Sequence, residues 1–122
     1  MPYDPNLPSL FEGEETLFTI RLWTNGYDFY VPNENIVYHY YERKNEPKFW
    51  NDLPDYSKEA NETIIKVLYL LKRRPIDDVP KHLLKDIDKY GLGKKRTIEQ
   101  YYKFSKIDKN HKKSNKQWCS KY

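Results

Sequence analysis

Residues 13–28 read GEETLFTIRLWTNGYD, and the reading of this stretch decides how the first half of the chain is built. Gly13 precedes Glu14 and Glu15, and a helix-like run continues to Asn25. Leu17 and Ile20, Phe18 and Leu22, and Ile20 and Trp23 lie three or four apart, the spacing of neighbours on a helix surface. Apolar residues occupy more than one face, which predicts a buried helix. Gly26 follows in the place of a left-handed C-terminal cap.

On either side of this helix the pattern changes. Residues 1–12 contain Pro2, Pro5 and Pro8 and read as an extended loop. Downstream, YDFYV (27–31) and NENIVYHYYE (33–42) are short and rich in β-branched and aromatic residues, so both are expected to be strands. Pro32 to Asn35 supply the turn between them. Residues 44–56 are loop-like, with Phe49 and Trp50 as packing anchors. A second helix is expected over 57–74, with Ser57 as N-cap, Ile64, Ile65, Leu68 and Leu71 as its apolar face, lysines and arginines opposite, and Pro75 as its stop. A short helix over 80–90 closes at Gly91. Another begins at Thr97, which stands three residues before Gln100 as in a capping box. The lysine-rich residues 108–122 are expected to be disordered. The chain thus divides into a catalytic-core segment (1–56), a helical segment (57–107) and a basic tail (108–122).

With 122 residues the chain is long enough for one domain. A mean hydropathy of −1.03 is low for a self-contained core, although 12 Tyr, 5 Phe and 3 Trp can bury much area per residue. Residues 1–56 carry 10 acids and 4 bases, whereas residues 57–122 carry 8 acids and 18 bases, so an acidic part precedes a basic one. The single cysteine, Cys119, excludes an internal disulfide and fits a reducing, cytoplasmic compartment. No basic segment followed by an apolar run opens the chain, and no apolar stretch approaches the roughly 18 residues of a membrane span.

Three segments stand out: residues 7–32, residues 35–50 and residues 90–108. They supply Leu7–Pro8, Gly13–Glu14–Glu15, Arg21–Leu22–Trp23–Thr24, Gly26–Tyr27–Asp28, Val37–Tyr38–His39, Arg43, Tyr90–Gly91–Leu92–Gly93, Arg96 and Glu99. In this order the segments resemble the C-terminal part of the GlcNAc-transferase family. Its best-known members attach N-acetylglucosamine to a hydroxyproline of a ubiquitin-ligase adaptor subunit in protists. The resemblance implies a mixed α/β fold, the acceptor-side portion of a GT-A-like glycosyltransferase, with helices and two short strands. It also implies that the Rossmann-like half, which binds UDP-GlcNAc and holds Mn²⁺ or Mg²⁺ through an Asp-x-Asp motif, is missing. A separate chain is one way to supply it. The chain would then be a partial transferase, inactive alone, that adds N-acetylglucosamine to a protein hydroxyl.

The resemblance and the residue chemistry nominate the same few positions. His39 ends an apolar run and is the candidate metal ligand, since Mn²⁺ accepts imidazole. Against this stands a structural histidine among tyrosines. Glu14 and Glu15 are the candidate catalytic carboxylates, because glycosyl transfer passes through a cation-like sugar centre. Acids are also favoured in a first helical turn by the helix dipole alone. Gly13 would let the backbone approach a ligand closely. Trp23 offers a face to a sugar ring or else packs in the core. Arg21 reads as structural, paired with an upstream glutamate. Arg43 could reach a diphosphate oxygen or form a surface salt bridge. Asp86–Ile87–Asp88 has the letters of the metal motif but stands after His39 and inside an expected helix. Two other readings compete: a non-catalytic interaction module of the same family, and a nucleic-acid binder suggested by the basic half, which lacks any known reader motif.

Overall fold

The structure, a computed structural model, describes residues 1–42, 44–108, 110, 111, 113 and 114. Four α-helices are present among them: α1 (Glu14–Thr24), α2 (Tyr56–Leu70), α3 (Ile87–Tyr90) and α4 (Ile98–Ser105). Single 3₁₀ turns cover Phe49–Asp52, Ile76–Asp78 and Lys81–Leu84. Strand structure among the described residues is a two-residue antiparallel pair, β1 (Ile107–Asp108) and β2 (Lys113–Ser114), with Ile107 opposite Ser114 and Asp108 opposite Lys113. The architecture is therefore mostly helical, and the expected mixed α/β character is met only in part. No helix among the described residues is long and apolar enough to cross a membrane.

Helix α1 ends as its sequence predicts. Gly26 has φ 90°, its N–H donates to Trp23 O at 2.9 Å, and the Tyr27 N–H donates to Leu22 O at 3.1 Å. This pair of bonds is a Schellman motif, which satisfies two carbonyls of the last turn. The Thr97 capping box also forms: Gln100 N–H donates to Thr97 Oγ1 at 3.1 Å and Thr97 N–H to Gln100 Oε1 at 2.7 Å.

Helix α2 departs from expectation at three points. Asp55, not Ser57, occupies the N-cap. The helix stops at Leu70, four residues early, because Lys72 takes the left-handed conformation (φ 53°) and closes a second Schellman motif. Here Lys72 N–H donates to Tyr69 O and Arg73 N–H to Leu68 O, both at 2.8 Å. The buried stripe is also rotated. Thr63, Lys66, Val67 and Leu70 are buried, while Ile64, Ile65, Leu68 and Leu71 are half-exposed. Two polar residues can face inward because the N-terminal segment satisfies them. Thr63 Oγ1 donates to Pro8 O at 2.7 Å, and Lys66 Nζ lies 2.8 Å from Asp4 Oδ2 with both side chains almost wholly excluded from solvent. The expected helix over 80–90 divides in two, since Lys85 is extended and Asp86 is left-handed (φ 53°).

The two strands expected at 27–31 and 33–42 do not form. The described residues there form neither helix nor strand, with a bend at Asn33 and Glu34, and every side chain is exposed. Val31 is 89% exposed and Tyr38 85%. β-propensity needs a neighbouring strand to supply ladder bonds and a surface to bury the side chains, and neither is present among the described residues. The expectations for Arg43, Cys119 and most of the basic tail lie outside the described residues.

The core lies where α1, α2 and the N-terminal segment meet. Leu17, Val67 and Leu70 form its centre, with Leu7, Leu10, Ile87 and Leu92 packed around them. Helix α4 closes the other side of α1, and Thr24 is the joint. Its hydroxyl donates to Ile20 O at 2.9 Å and accepts the Gly93 N–H at 2.8 Å. Its carbonyl accepts the N–H groups of Lys95 and Arg96 at 2.9 and 3.2 Å.

The buried Asp4–Lys66 pair gives a direct test of this packing. Asp4→Ala should destabilise the chain by about 3–5 kcal/mol in urea denaturation, because it leaves a buried ammonium without its partner. Replacing both residues, with Asp4→Leu and Lys66→Met, should be milder than Asp4→Ala. A loss for Asp4→Ala below about 0.5 kcal/mol, the size expected of an exposed pair, would show that the pair is hydrated.

Candidate functional site

The N-terminus of α1 places the predicted carboxylates. Gly13 is the N-cap in the left-handed region (φ 90°) and makes no side-chain cap. Glu14 and Glu15 fill the first turn, where Glu15 is exposed and Glu14 half-buried. Glu14 lines a small pocket of about 90 Å³ between α1 and the N-terminal segment. Leu7, Leu10 and Leu17 form the apolar wall, Tyr3 and Phe18 stand at another side, and Asp4 and Arg21 complete the lining. Tyr3 and Phe18 stack with ring centroids 4.7 Å apart.

Arg21 was read as structural, and the structure buries it. It is 2% exposed and lies two turns below Glu14 on the same helix face. It was expected to pair with an upstream glutamate, but no ion pair joins Arg21 to an acid among the described residues. A separation of seven residues is about 10 Å along a helix axis, and the pocket lies alongside. Nε and Nη2 of Arg21 are buried without a hydrogen-bond partner. The guanidinium carbon lies 5.9 Å from the Tyr90 ring centroid. Burial pushes the Arg21 pKa down, while the fields of Asp4 and Tyr90 push it up. The helical spacing of Glu14, Leu17 and Arg21 was the available signal in the sequence, because it puts all three on one stripe.

His39 lies elsewhere in the extended stretch. Its side chain is exposed, and its ring centroid is 4.2 Å from that of Tyr41. Among the described residues no hydrogen bond or ion pair joins His39 to Glu14 or Glu15. No group of three or more His, Cys, Asp or Glu side chains among them could hold a metal ion. Asp86 and Asp88 form no such group either. His39 therefore stands as a single imidazole, one ligand at most of a metal shell.

Trp23 has a packing role. Phe104 stacks on it at 4.7 Å and Tyr101 meets it edge-on at 5.9 Å. The Arg96 guanidinium lies 4.5 Å from its ring centroid, and Trp23 Nε1 donates to Thr97 O at 3.3 Å. Arg96 also pairs with Asp28 at 2.8 Å and donates to Tyr27 O at 3.2 Å. The two motif segments Arg21–Asp28 and Tyr90–Arg96 are thus in contact through Trp23, Thr24 and Arg96.

A larger cleft, about 300 Å³, opens beside the first half of α2. Phe11, Trp50 and Tyr56 line it together with Glu12 and Asn61. Phe11 and Trp50 meet edge to face at 5.3 Å, and Phe49 meets Tyr56 at 5.5 Å. Phe49 and Trp50 act as anchors, as their sequence suggested.

Comparison with known proteins supplies the family. The family described as Glycosyltransferase (GlcNAc) matches residues 1–111. The chain belongs to this GlcNAc glycosyltransferase family. No curated protein and no solved structure matches it.

The two motif glycines should respond differently to substitution. A Cβ at Gly93 would fall 2.5 Å from the Thr24 carbonyl carbon and oxygen, so Gly93→Ala must push α1 from its joint and should destabilise by about 1–3 kcal/mol. At Gly13 the nearest atom, Val67 Cγ1, is 3.8 Å away. Gly13→Ala should therefore show only left-handed strain, about 1–2 kcal/mol. Equilibrium denaturation measures both; an unchanged Gly93→Ala midpoint would refute the close approach.

Proposed function

We propose that the chain forms the acceptor-side portion of a GT-A-like transferase that moves N-acetylglucosamine from UDP-GlcNAc to a protein hydroxyl, with hydroxyproline as one such hydroxyl. The family match over residues 1–111 carries this reading, and the position of Glu14 supports it. Glu14 stands at the positive end of α1 and faces a pocket rather than open solvent. A carboxylate held there stabilises the cation-like sugar centre of the transition state. In a retaining transfer this group binds donor sugar and acceptor instead of acting as a simple base. Glu15, one residue on and exposed, is placed to meet the acceptor.

The extended stretch over residues 27–42 supports a role in a larger assembly. In register, Ile36, Tyr38 and Tyr40 alternate with Val37, His39 and Tyr41, so both sides of the segment are apolar or aromatic. Such a pattern suits a strand covered on both faces. We infer that the donor-binding half covers it and holds the diphosphate, either in a further part of the polypeptide or in a separate chain. The chain alone would then be inactive. The lone cysteine supports a reducing, cytoplasmic setting. The same exposed stretch favours one second reading, a non-catalytic interaction module of the family.

Two measurements separate these readings. Removing the chain from its cell should abolish an N-acetylhexosamine modification on a protein hydroxyl, detected by mass spectrometry. The wild-type chain should restore it, and Glu14→Gln should restore about a tenth or less, given the tenfold-or-greater losses typical of transition-state contacts. An unchanged modification profile would reject the transferase and leave the interaction module. Calorimetric titration of the isolated chain with UDP should show no binding; micromolar UDP affinity would place the diphosphate on this chain instead.

A further inference from the structure

Three aromatic rings and one unpaired acid meet in the cleft beside the first half of α2. Phe11, Trp50 and Tyr56 line it with Glu12 and Asn61, and its volume is about 300 Å³. Among the described residues Glu12 makes no hydrogen bond or ion pair. The rings are not a closed core. Phe11 is 57% exposed, and Phe49, which packs on Phe11 and Trp50, is 45% exposed. A cluster of rings open to solvent marks a surface that meets something else.

Ring geometry and charge narrow the chemistry of the occupant. The planes of Phe11 and Trp50 are inclined at 66° with centroids 5.3 Å apart, and those of Trp50 and Tyr56 at 34° with centroids 6.1 Å apart. Faces that point in different directions form a corner. Such a corner suits a round cation, which meets several faces at once, better than a flat guanidinium, which stacks on one. Trp50 already takes a cation: Lys48 Nζ lies 5.6 Å from its ring centroid, and Lys48 does not line the cleft. The segments that build the cleft, residues 9–12 and 48–64, carry Glu12, Asp52, Asp55, Glu59 and Glu62 against Lys48 and Lys58. This surplus of acid favours basic surroundings for the cation and disfavours a phosphate beside it. Leu10, Ala60 and Ile64 complete the lining. An apolar wall offers a bare ammonium few acceptors in return for its lost water, whereas methyl groups on the nitrogen need none.

We propose that this cleft receives a trimethylated lysine side chain from a basic segment of a protein partner. The trimethylammonium head rests in the corner of Phe11, Trp50 and Tyr56, Glu12 balances its charge, and the methylene stem crosses the wall of Leu10 and Ile64. The acids around the cleft meet the neighbouring basic residues of the partner. The cleft shares only Leu10 with the pocket beside Glu14, so its occupation is independent of sugar transfer.

The test is NMR titration of the full chain with a short lysine-rich peptide that carries one central trimethyl-lysine, followed at the tryptophan indole N–H resonances. The Trp50 resonance should shift saturably, while that of Trp23, bonded to Thr97 O, stays in place. Three further probes are the same peptide with unmodified lysine, the same peptide with an uncharged tert-butyl group replacing the trimethylammonium, and phosphocholine. Each should bind about fivefold more weakly or worse. Phe11→Leu keeps apolar volume but removes a ring, and Glu12→Lys reverses a charge at an exposed position. Each should weaken the trimethylated peptide by about threefold or more, with far-ultraviolet circular dichroism unchanged. If Phe11→Leu disturbs the fold, Glu12→Lys alone decides. Absence of saturable binding, a shift at Trp23 without one at Trp50, or equal binding of the tert-butyl or unmodified peptide would each overturn the proposal. So would equal or tighter binding of phosphocholine, or unchanged affinity in the Glu12→Lys chain.

Discussion

Thr24 fixes the geometry on which the rest of the chain depends. One buried residue at the end of α1 meets three groups through its hydroxyl and two through its carbonyl. It thereby joins a helix near the start of the chain to a loop about seventy residues later. The approach is close enough that residue 93 must lack a side chain. Because the hydroxyl also bonds back to the preceding turn, the last turn of α1 is tied to the incoming loop. Around this joint Arg96 covers Trp23 and pairs with Asp28, and the position of α4 follows. Two of the three sequence segments that carry the family resemblance are therefore the two halves of one mechanical joint.

A second constraint sets the other side of α1. The Asp4–Lys66 pair and the Thr63–Pro8 bond hold the N-terminal segment across α2. Without that segment the pocket beside Glu14 and Arg21 would have only one wall. The joint at Thr24 fixes the end of α1 against the later loop, and the buried ion pair fixes the N-terminal segment against α2.

Legibility in the sequence followed the range of the interactions. Helix α1, its Gly26 cap and the Thr97 capping box depend on residues within a few positions of one another, and each was readable. The inward face of α2 was not, because Lys66 and Thr63 are tolerated there only by partners 62 and 55 residues away. Residues 27–42 have the composition of strands, but composition does not supply a neighbouring strand. For the site, Glu14 was nominated through helix position and resemblance. Arg21 was seen only as an ion-pair donor, since nothing local reveals that Nε and Nη2 end buried without a partner. His39 and the glutamates were nominated for one site, and among the described residues no hydrogen bond or ion pair joins them.

The run Ile36–Val37–Tyr38–His39–Tyr40–Tyr41 contains no proline, no glycine and no carboxylate. Six such residues, extended and bare, have the signature of a segment that stacks with copies of itself in cross-β aggregates. The charges nearest to it in the described chain are Glu34 and Glu42, with Pro32 just beyond. These are gatekeepers by position: acids at both ends repel a second copy, and the proline breaks the register of any longer stack. Protection of this run against stacking therefore leans on two carboxylates and one proline.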